Sequence, residues 1–361
     1  MVERQMHGIA RYALELARRL PALAPGWEFA ALVGPESLPS TLGPLQPDLP
    51  QMRASARFLS PFEQPALAAA LLGRQVDLFH ATSFSLPGLW GGALVATLHD
   101  ANHLALPENY RPGRTAYYRL VVGPRARRAR ALITVSEFSR AELARHLDLA
   151  PERFQVISPG VDPRFHPRLP SEISAFRKRH ALPPRFLLAM GNAKPHKNLG
   201  LLARIADHLP LPLAVLAGAG AARRLGFPAH TLDLGEWSED ELPLLFASAE
   251  ALLFPSYYEG FGLPALEAMA SGCPVVASRA ASLPEVCGEA ALLVDPHSPD
   301  AWRDSVLRLC RDAALRKTLS EHGIERAARF TWDACAERTL AVYRRVLETA
   351  RGPPPESPTR W

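Results

Sequence analysis

The stretch Tyr257-Tyr258-Glu259-Gly260-Phe261-Gly262-Leu263-Pro264-Ala265-Leu266-Glu267 reads as the loop and helix that follow a buried strand. Ala251 to Phe254 is a short apolar run suited to a parallel strand covered on both faces. Pro255 ends it. Pro264 suits the first turn of a helix, where a missing N–H costs nothing. Leu266, Met269, Ala270 and Cys273 then fall at helical spacing, and Gly272 stops the helix. The first amides of such a helix have no internal acceptor, and its dipole favours negative charge there. Gly260 and Gly262 let a ligand approach the backbone. Glu259 and Glu267 flank this start. Carboxylates repel phosphate but accept hydrogen bonds from hydroxyls, so phosphate and hydroxyls together describe a sugar nucleotide. An ordinary βα turn with a solvated and a capping glutamate is the competing description.

Working outward, 361 residues exceed one typical core and predict two domains. An apolar share of 48% with 21% charged residues is that of a globular chain. No apolar run approaches the ~20 residues of a membrane span, and the N-terminus lacks the apolar core of a signal peptide. Cys273, Cys287, Cys310 and Cys335 are scattered without metal-ligand spacing, which predicts a reducing, cytoplasmic setting. The net charge of +5 is carried by arginine, because there are only four lysines, Lys178, Lys194, Lys197 and Lys317. That charge suits an anionic ligand or surface and is too diffuse to imply nucleic acid.

Helical and strand-like segments alternate along the chain, which predicts an α/β fold. Gly8 to Leu20 has the period of an amphipathic helix. Such a domain normally opens with a strand, and only seven residues precede Gly8, so the first strand of this domain is expected to be missing. Strands are expected at 29–33, 76–79, 94–98, 131–135 and 154–157, with a proline-rich loop over 34–51 and a helix at 65–72. Arg111 to Arg130 reads as a basic helix whose apolar face carries Tyr117, Leu120, Val121 and Val122. It is either a solvated face or a contact with an anionic membrane. Residues 162–184 are rich in proline and arginine and mark the domain boundary. Strands at 186–190, 213–217, 231–234, 251–254, 274–278 and 291–294, mostly separated by helices, then describe a doubly wound parallel sheet. A last amphipathic helix covers 331–350, and a proline-rich, disordered tail 351–361.

Two further loops carry candidate chemistry. Gly191-Asn192-Ala193-Lys194-Pro195-His196-Lys197-Asn198 follows the first strand of the second domain. Two of four lysines sit here, and an ammonium point charge suits a diphosphate. Incidental charge on an exposed loop is the alternative. His99-Asp100 ends a strand of the first domain, where a histidine can meet substrate hydroxyls or serve as a structural group. No Asp-x-Asp pair occurs, so no metal clamp is expected. No G-x-G-x-x-G occurs either, which weighs against a dinucleotide dehydrogenase.

With these pieces in this order, the chain resembles the retaining glycosyltransferases of family 4, nearly from end to end. The resemblance rests on His7-Gly8-Ile9-Ala10-Arg11-Tyr12, Thr97-Leu98-His99-Asp100, Thr134-Val135-Ser136-Glu137-Phe138-Ser139, Pro159-Gly160-Val161-Asp162, Lys197-Asn198, and Glu259-x7-Glu267 with Phe261-Gly262-Leu263-Pro264. The Gly-Ile-x-Arg-Tyr and Pro-His-Lys-Asn forms look most like the mannosyltransferase branch. The resemblance implies a GT-B fold, α/β, with two Rossmann-like doubly wound parallel-sheet domains facing a cleft. The N-terminal domain would take 1–165 plus the crossover helix 331–350, and the sugar-nucleotide domain 166–330.

It also implies roles. His99, Lys197 and Glu259 would be catalytic. Gly8, Asn192, Lys194, Phe261, Gly262, Leu263 and Glu267 would bind the donor, with Glu259 on the hexose, Glu267 on the ribose and Gly235 to Trp237 at the base. The donor would be a nucleotide sugar, GDP-mannose or a UDP-hexose. The acceptor would be a glycan or lipid-linked hydroxyl, with no cofactor or metal, no nucleic acid, and contact with the inner face of an anionic membrane. Departures are Asn192 where many members have arginine, and Ala10 where they have a second glycine. With the missing strand, these leave open a catalytically impaired sugar-nucleotide-binding homologue.

Overall fold

The structure is a computed structural model and describes residues 8–34, 49–56, 60, 62–110 and 112–351. They fall into two compact units. The first holds the chain up to Val135, Ser139–Pro159 and everything from Trp332 onward. The second holds Gly160–Thr331 with Ser136–Phe138.

The first unit runs α1 (Gly8–Leu23), β1 (Ala31–Val33), β2 (Gln51–Arg53), α2 (Glu63–Leu71), β3 (Leu78–Ala81), β4 (Ala93–Thr97), α3 (Asn102–Ala105), α4 (Pro112–Tyr117), α5 (Gly123–Arg128), β5 (Ala131–Thr134), α6 (Glu137–Leu147) and β6 (Phe154–Val156). Strands β3-β4-β5-β6 form one parallel sheet in that order. Its two faces follow the strand period of two. Leu94, Ala96 and Leu132 bury one face against Tyr118, Val122, Ala126 and Leu143. Val95 and Ile133 bury the other against Tyr12, Leu16 and Leu20. Both faces are covered, as a parallel sheet requires.

Two expectations change here. The expected loop ends at Gln51, yet Gln51–Arg53 pairs in parallel with β1 as β2. Among the described residues that pair is a separate two-stranded sheet, not joined to β3. The residues ahead of α1, where the first strand is expected to be missing, most of the proline-rich loop and the tail beyond residue 351 lie outside the described residues. The basic helix is broken into α4, a π-helical turn at Tyr118–Val122 and α5. Pro124 lacks an N–H and crowds the carbonyl four residues back, which opens the turn before it. The break also resets the buried face: Tyr118 and Val122 are inside while Leu120 is 76% exposed.

The second unit runs α7 (Pro170–Arg179), β7 (Leu187–Met190), α8 (Leu199–Ile205), β8 (Leu213–Leu216), α9 (Ala221–Arg224), β9 (Leu232–Asp233), α10 (Leu242–Ser248), β10 (Ala251–Phe254), α11 (Leu263–Ala270), β11 (Val275–Ser278), α12 (Leu283–Cys287), β12 (Ala291–Val294), α13 (Pro299–Arg311) and α14 (Ala313–Ala327). Its six strands are parallel in the order β12-β11-β10-β7-β8-β9. The chain winds outward in opposite directions from β7 and β10, so the switch point lies between those neighbours. Ligands of open α/β sheets bind at such a point, beyond the carboxyl ends of the strands.

The segment 162–184, expected to mark the domain boundary, contains α7. Its Phe176 is 1% exposed, and the Glu172 carboxylate accepts the Leu169 N–H at 2.9 Å. The unit boundary lies at Pro159/Gly160. Val161 donates its N–H to the Phe330 carbonyl at 3.0 Å, and Phe165 is buried against Phe246. Those bonds tie 160–165 to the second unit. After Thr331 the chain returns as α15 (Trp332–Arg351), which packs on α1 and covers Val95 and Ile133.

Candidate active site

In the second unit the loops after β7 and β10 leave from the two strands at the switch point. The first makes a short turn at Pro195–Lys197, and Asn198 follows at φ 53°. Asparagine tolerates that left-handed conformation better than most residues. Its side-chain amide donates to the Pro255 carbonyl at 3.2 Å and the Pro296 carbonyl at 2.9 Å. Tyr257 donates its N–H to the His196 carbonyl at 2.9 Å. Three loops are thus fastened to one another.

This fastening brings Lys197 to Glu259. Nζ donates to Oε1 at 2.7 Å, and the two side chains are only 18% and 12% exposed. Nζ also lies 5.8 Å from the Phe254 ring centroid. The pair is largely withdrawn from water, so each charge depends on the other.

The helix start is built from backbone. Gly262 stands at φ 101°, and a Cβ there would meet Leu283 Cδ2 at 2.7 Å. Helix α11 begins at Leu263, one residue earlier than expected, with Pro264 in its first turn. Its end is a paired cap: Gly272 donates to Met269 and Cys273 to Ala268, both at 2.9 Å. Ser282 donates its hydroxyl to the Glu259 carbonyl at 3.0 Å and the Phe261 carbonyl at 2.8 Å. That anchor sets the peptide planes of the loop and so aims the amides of Gly262 and Leu263, which start the helix without an internal acceptor. Phe261 is buried with its ring edge on Phe330. Glu267 is buried within α11.

The other donor-loop residues divide. Asn192 and Lys194 are exposed, and Asn192 Oδ1 accepts the Lys194 N–H at 3.1 Å, closing a local turn. His196 of the same loop is buried. Burial first, and then the Lys197 charge, push it down to about 4, so it stays neutral near pH 7. The predicted base region follows edge strand β9. There Gly235 sits at φ 64°, and Trp237 donates its indole N–H to Leu234 at 2.8 Å.

Gly8 and His99 belong to the first unit. Gly8 is the first residue of α1, as its helical period predicts, and is exposed. His99 follows β4 and is 9% exposed. Its Nε2 pairs with the Thr82 carbonyl at 3.0 Å, and burial pushes its pKa down to about 4. A carbonyl only accepts, so the proton of the neutral ring is on Nε2 and Nδ1 is an acceptor. Ser139 Oγ donates to the His99 carbonyl at 2.9 Å and fixes its backbone.

The two halves of the chain match known families separately. Residues 6–165 match the model described as Glycosyltransferase Family 4, and 171–326 that of Glycosyl transferases group 1. O-antigen chain mannosyltransferase B of Escherichia coli is 30% identical, over 93% of this chain and 96% of its own.

The chain belongs to glycosyltransferase family 4.

Another relative of this glycosyltransferase is the MMP alpha-(1->4)-mannosyltransferase of Mycolicibacterium hassiacum, 34% identical over 62% of this chain and 56% of its own length. Among solved structures, Anabaena HepE with UDP and glucose superposes with a TM-score of 0.76 at 19% identity, covering 96% of this chain and 98% of that one. The fold is GT-B, two Rossmann-like parallel-sheet domains, in line with the resemblance read from the sequence. The structure brings Lys197 and Glu259, both chosen from the sequence, into contact in the loops after β7 and β10. Sequence reasoning missed Ser282, whose bonds to carbonyls 23 and 21 residues away leave no motif.

Proposed function

We propose that this glycosyltransferase moves mannose from GDP-mannose to an acceptor hydroxyl, with retention at the anomeric carbon, in cell-envelope polysaccharide or glycolipid synthesis. The observation that carries it is the Lys197–Glu259 ion pair beside the first turn of α11 at the switch point. A diphosphate draws Lys197 away from Glu259 and meets the amides at Gly262 and Leu263. Lys197 and the helix dipole stabilise the charge that grows on the leaving phosphate, and no metal is required of them. The released Glu259 carboxylate accepts a hexose hydroxyl and supports the oxocarbenium-like sugar. Glu267 takes the ribose, and His99 Nδ1 accepts from a sugar hydroxyl. The acceptor oxygen bonds to the anomeric carbon on the face the phosphate leaves, and the departing phosphate oxygen takes its proton.

Mannose is supported by the Pro195-His196-Lys197-Asn198 form and by relatives named as mannosyltransferases. A UDP-hexose donor is the second reading, favoured by HepE having been solved with UDP and glucose. The divided sheet of the first unit favours a third, a binding homologue without turnover. A screen of GDP- and UDP-sugars with the purified protein decides among them. Slow hydrolysis or transfer from GDP-mannose giving the α-anomer is expected. Turnover of a UDP-hexose alone replaces the donor, and tight GDP binding without turnover of any donor replaces the enzyme.

A cytoplasmic place at the membrane's inner face belongs to the same proposal. Among the described residues no helix is long and apolar enough to cross a membrane. Exposed Leu120 stands beside exposed Arg119, with Arg127, Arg128 and Arg130 exposed further on, a combination suited to anionic headgroups. Failure to sediment with anionic liposomes at low salt would remove this part.

A further inference from the structure

The first unit holds a chain of polar groups that the proposed chemistry does not use, buried at Tyr12, Thr97 and Tyr343 and half-buried at His80. It lies between the sheet and helices α1 and α15. Tyr343 of α15 and His80 Nδ1 are 2.5 Å apart. His80 Nε2 and Thr97 Oγ1 are 2.8 Å apart. Thr97 Oγ1 and the Tyr12 hydroxyl of α1 are 3.1 Å apart. The Tyr12 ring then stands edge-on to the His99 imidazole, centroids 4.9 Å apart at 89°. Thr97 ends β4, and His99 lies two residues beyond it. Tyr12, Thr97 and Tyr343 are buried to 5% exposure or less.

We propose that Tyr343, His80, Thr97 and Tyr12 are positioning residues that hold His99 in the orientation transfer needs. This rests on the reading of His99 as a group that meets the donor sugar.

Burial holds His80 down to about 3, with His99 as a second cause. A neutral imidazole donates through one ring nitrogen and accepts through the other, so His80 bridges the Tyr343 and Thr97 hydroxyls. The chain leaves α15 at Tyr343, crosses β3 and β4, and ends on α1 at Tyr12. Every hydroxyl is used, so rotation of Tyr12 would strand a buried polar group, and such networks fix one arrangement. Apolar residues of the same shape would pack as well without fixing the ring beside His99.

The test uses the full chain with Tyr343→Phe and Thr97→Val, which remove hydroxyls and keep shape. Each should lower kcat about tenfold, with donor KM within about twofold, because misplacing a reacting geometry costs rate more than binding. The double variant should be no slower than either single variant, as members of one unit are not additive. In a His99→Ala background neither should lower kcat further. Ring-nitrogen NMR shifts of His99 report the tautomer without turnover. They should show Nε2–H in the parent and a mixture in Tyr343→Phe. Unchanged kcat and tautomer in Tyr343→Phe, additive losses, or a further loss in the His99→Ala background would overturn the relay. A harmless His99→Ala would instead overturn the role given to His99.

Discussion

At the scale of single residues, the Lys197–Glu259 pair makes opposite demands before and after the donor arrives. Without donor the two charges neutralise each other at 2.7 Å with little water. With donor, Lys197 must serve phosphate and Glu259 a sugar hydroxyl. The carboxylate is therefore a competitor of the diphosphate for the ammonium. Glu259→Gln keeps the shape and removes the competition. It should tighten binding of GDP several-fold while turnover falls about a hundredfold, since support for the sugar cation is lost. Lys197→Ala should weaken GDP and cost on the order of a hundredfold in turnover. Calorimetric titration with GDP beside steady-state kinetics reads both. Weaker GDP binding by Glu259→Gln would mean that the carboxylate helps the phosphate site and does not compete with it. The sequence showed that these two residues had chemistry in common. It did not show their contact, nor that burial would hold the neighbouring His196 neutral.

At the scale of elements, the start of α11 is set by where its peptide planes are held. Gly262→Ala would place a methyl 2.7 Å from Leu283 Cδ2 on a backbone at φ 101°. A strained left-handed position and an overpacked contact each cost about 1–3 kcal/mol. The variant should melt several degrees lower and lose donor binding, because the amides turn with the chain. Thermal unfolding beside GDP titration checks it; an unchanged melting temperature and affinity would show that the loop yields without cost. Elements built from their own pattern were legible: β7, β10 and α11 carry apolar runs with proline and glycine at their ends. Elements that depend on a neighbour were not. Strand β2 is Gln-Met-Arg and exists through its pairing with β1. Helix α7 has one buried residue, Phe176, and hence no apolar period to read. The basic segment shows helical spacing throughout, yet Pro124 and the packing of Tyr118 and Val122 break it. The site's anchors were hidden for the same reason, since Asn198 and Ser282 act on carbonyls of distant loops.

At the scale of the whole molecule, both units hold neutral histidines where solvent would charge them. In the first unit His80 is held down to about 3 and His99 to about 4. In the second His196 is held to about 4. Burial is the first cause in all three, against an ordinary value of 6.5. Between the ordinary and the lowered values the unfolded chain binds protons that the folded chain refuses, so acid favours unfolding. Stability is therefore fully present above about 6.5 and is lost as pH falls toward the folded values, by at most about 1.4 kcal/mol per pH unit for each histidine. The first unit carries two of these groups and should be the more acid-sensitive. Calorimetry at pH 7, 6 and 5, above the range where most carboxylates titrate, should show melting temperature falling with pH. His80→Asn should flatten that slope for the first unit while leaving it in place for the second. A melting temperature that holds steady or rises from pH 7 to 5 would mean that these rings find proton-stabilising partners on opening. The desolvated layer around Tyr12, His80 and His99 would then not be the sealed interior that a fixed His99 tautomer requires.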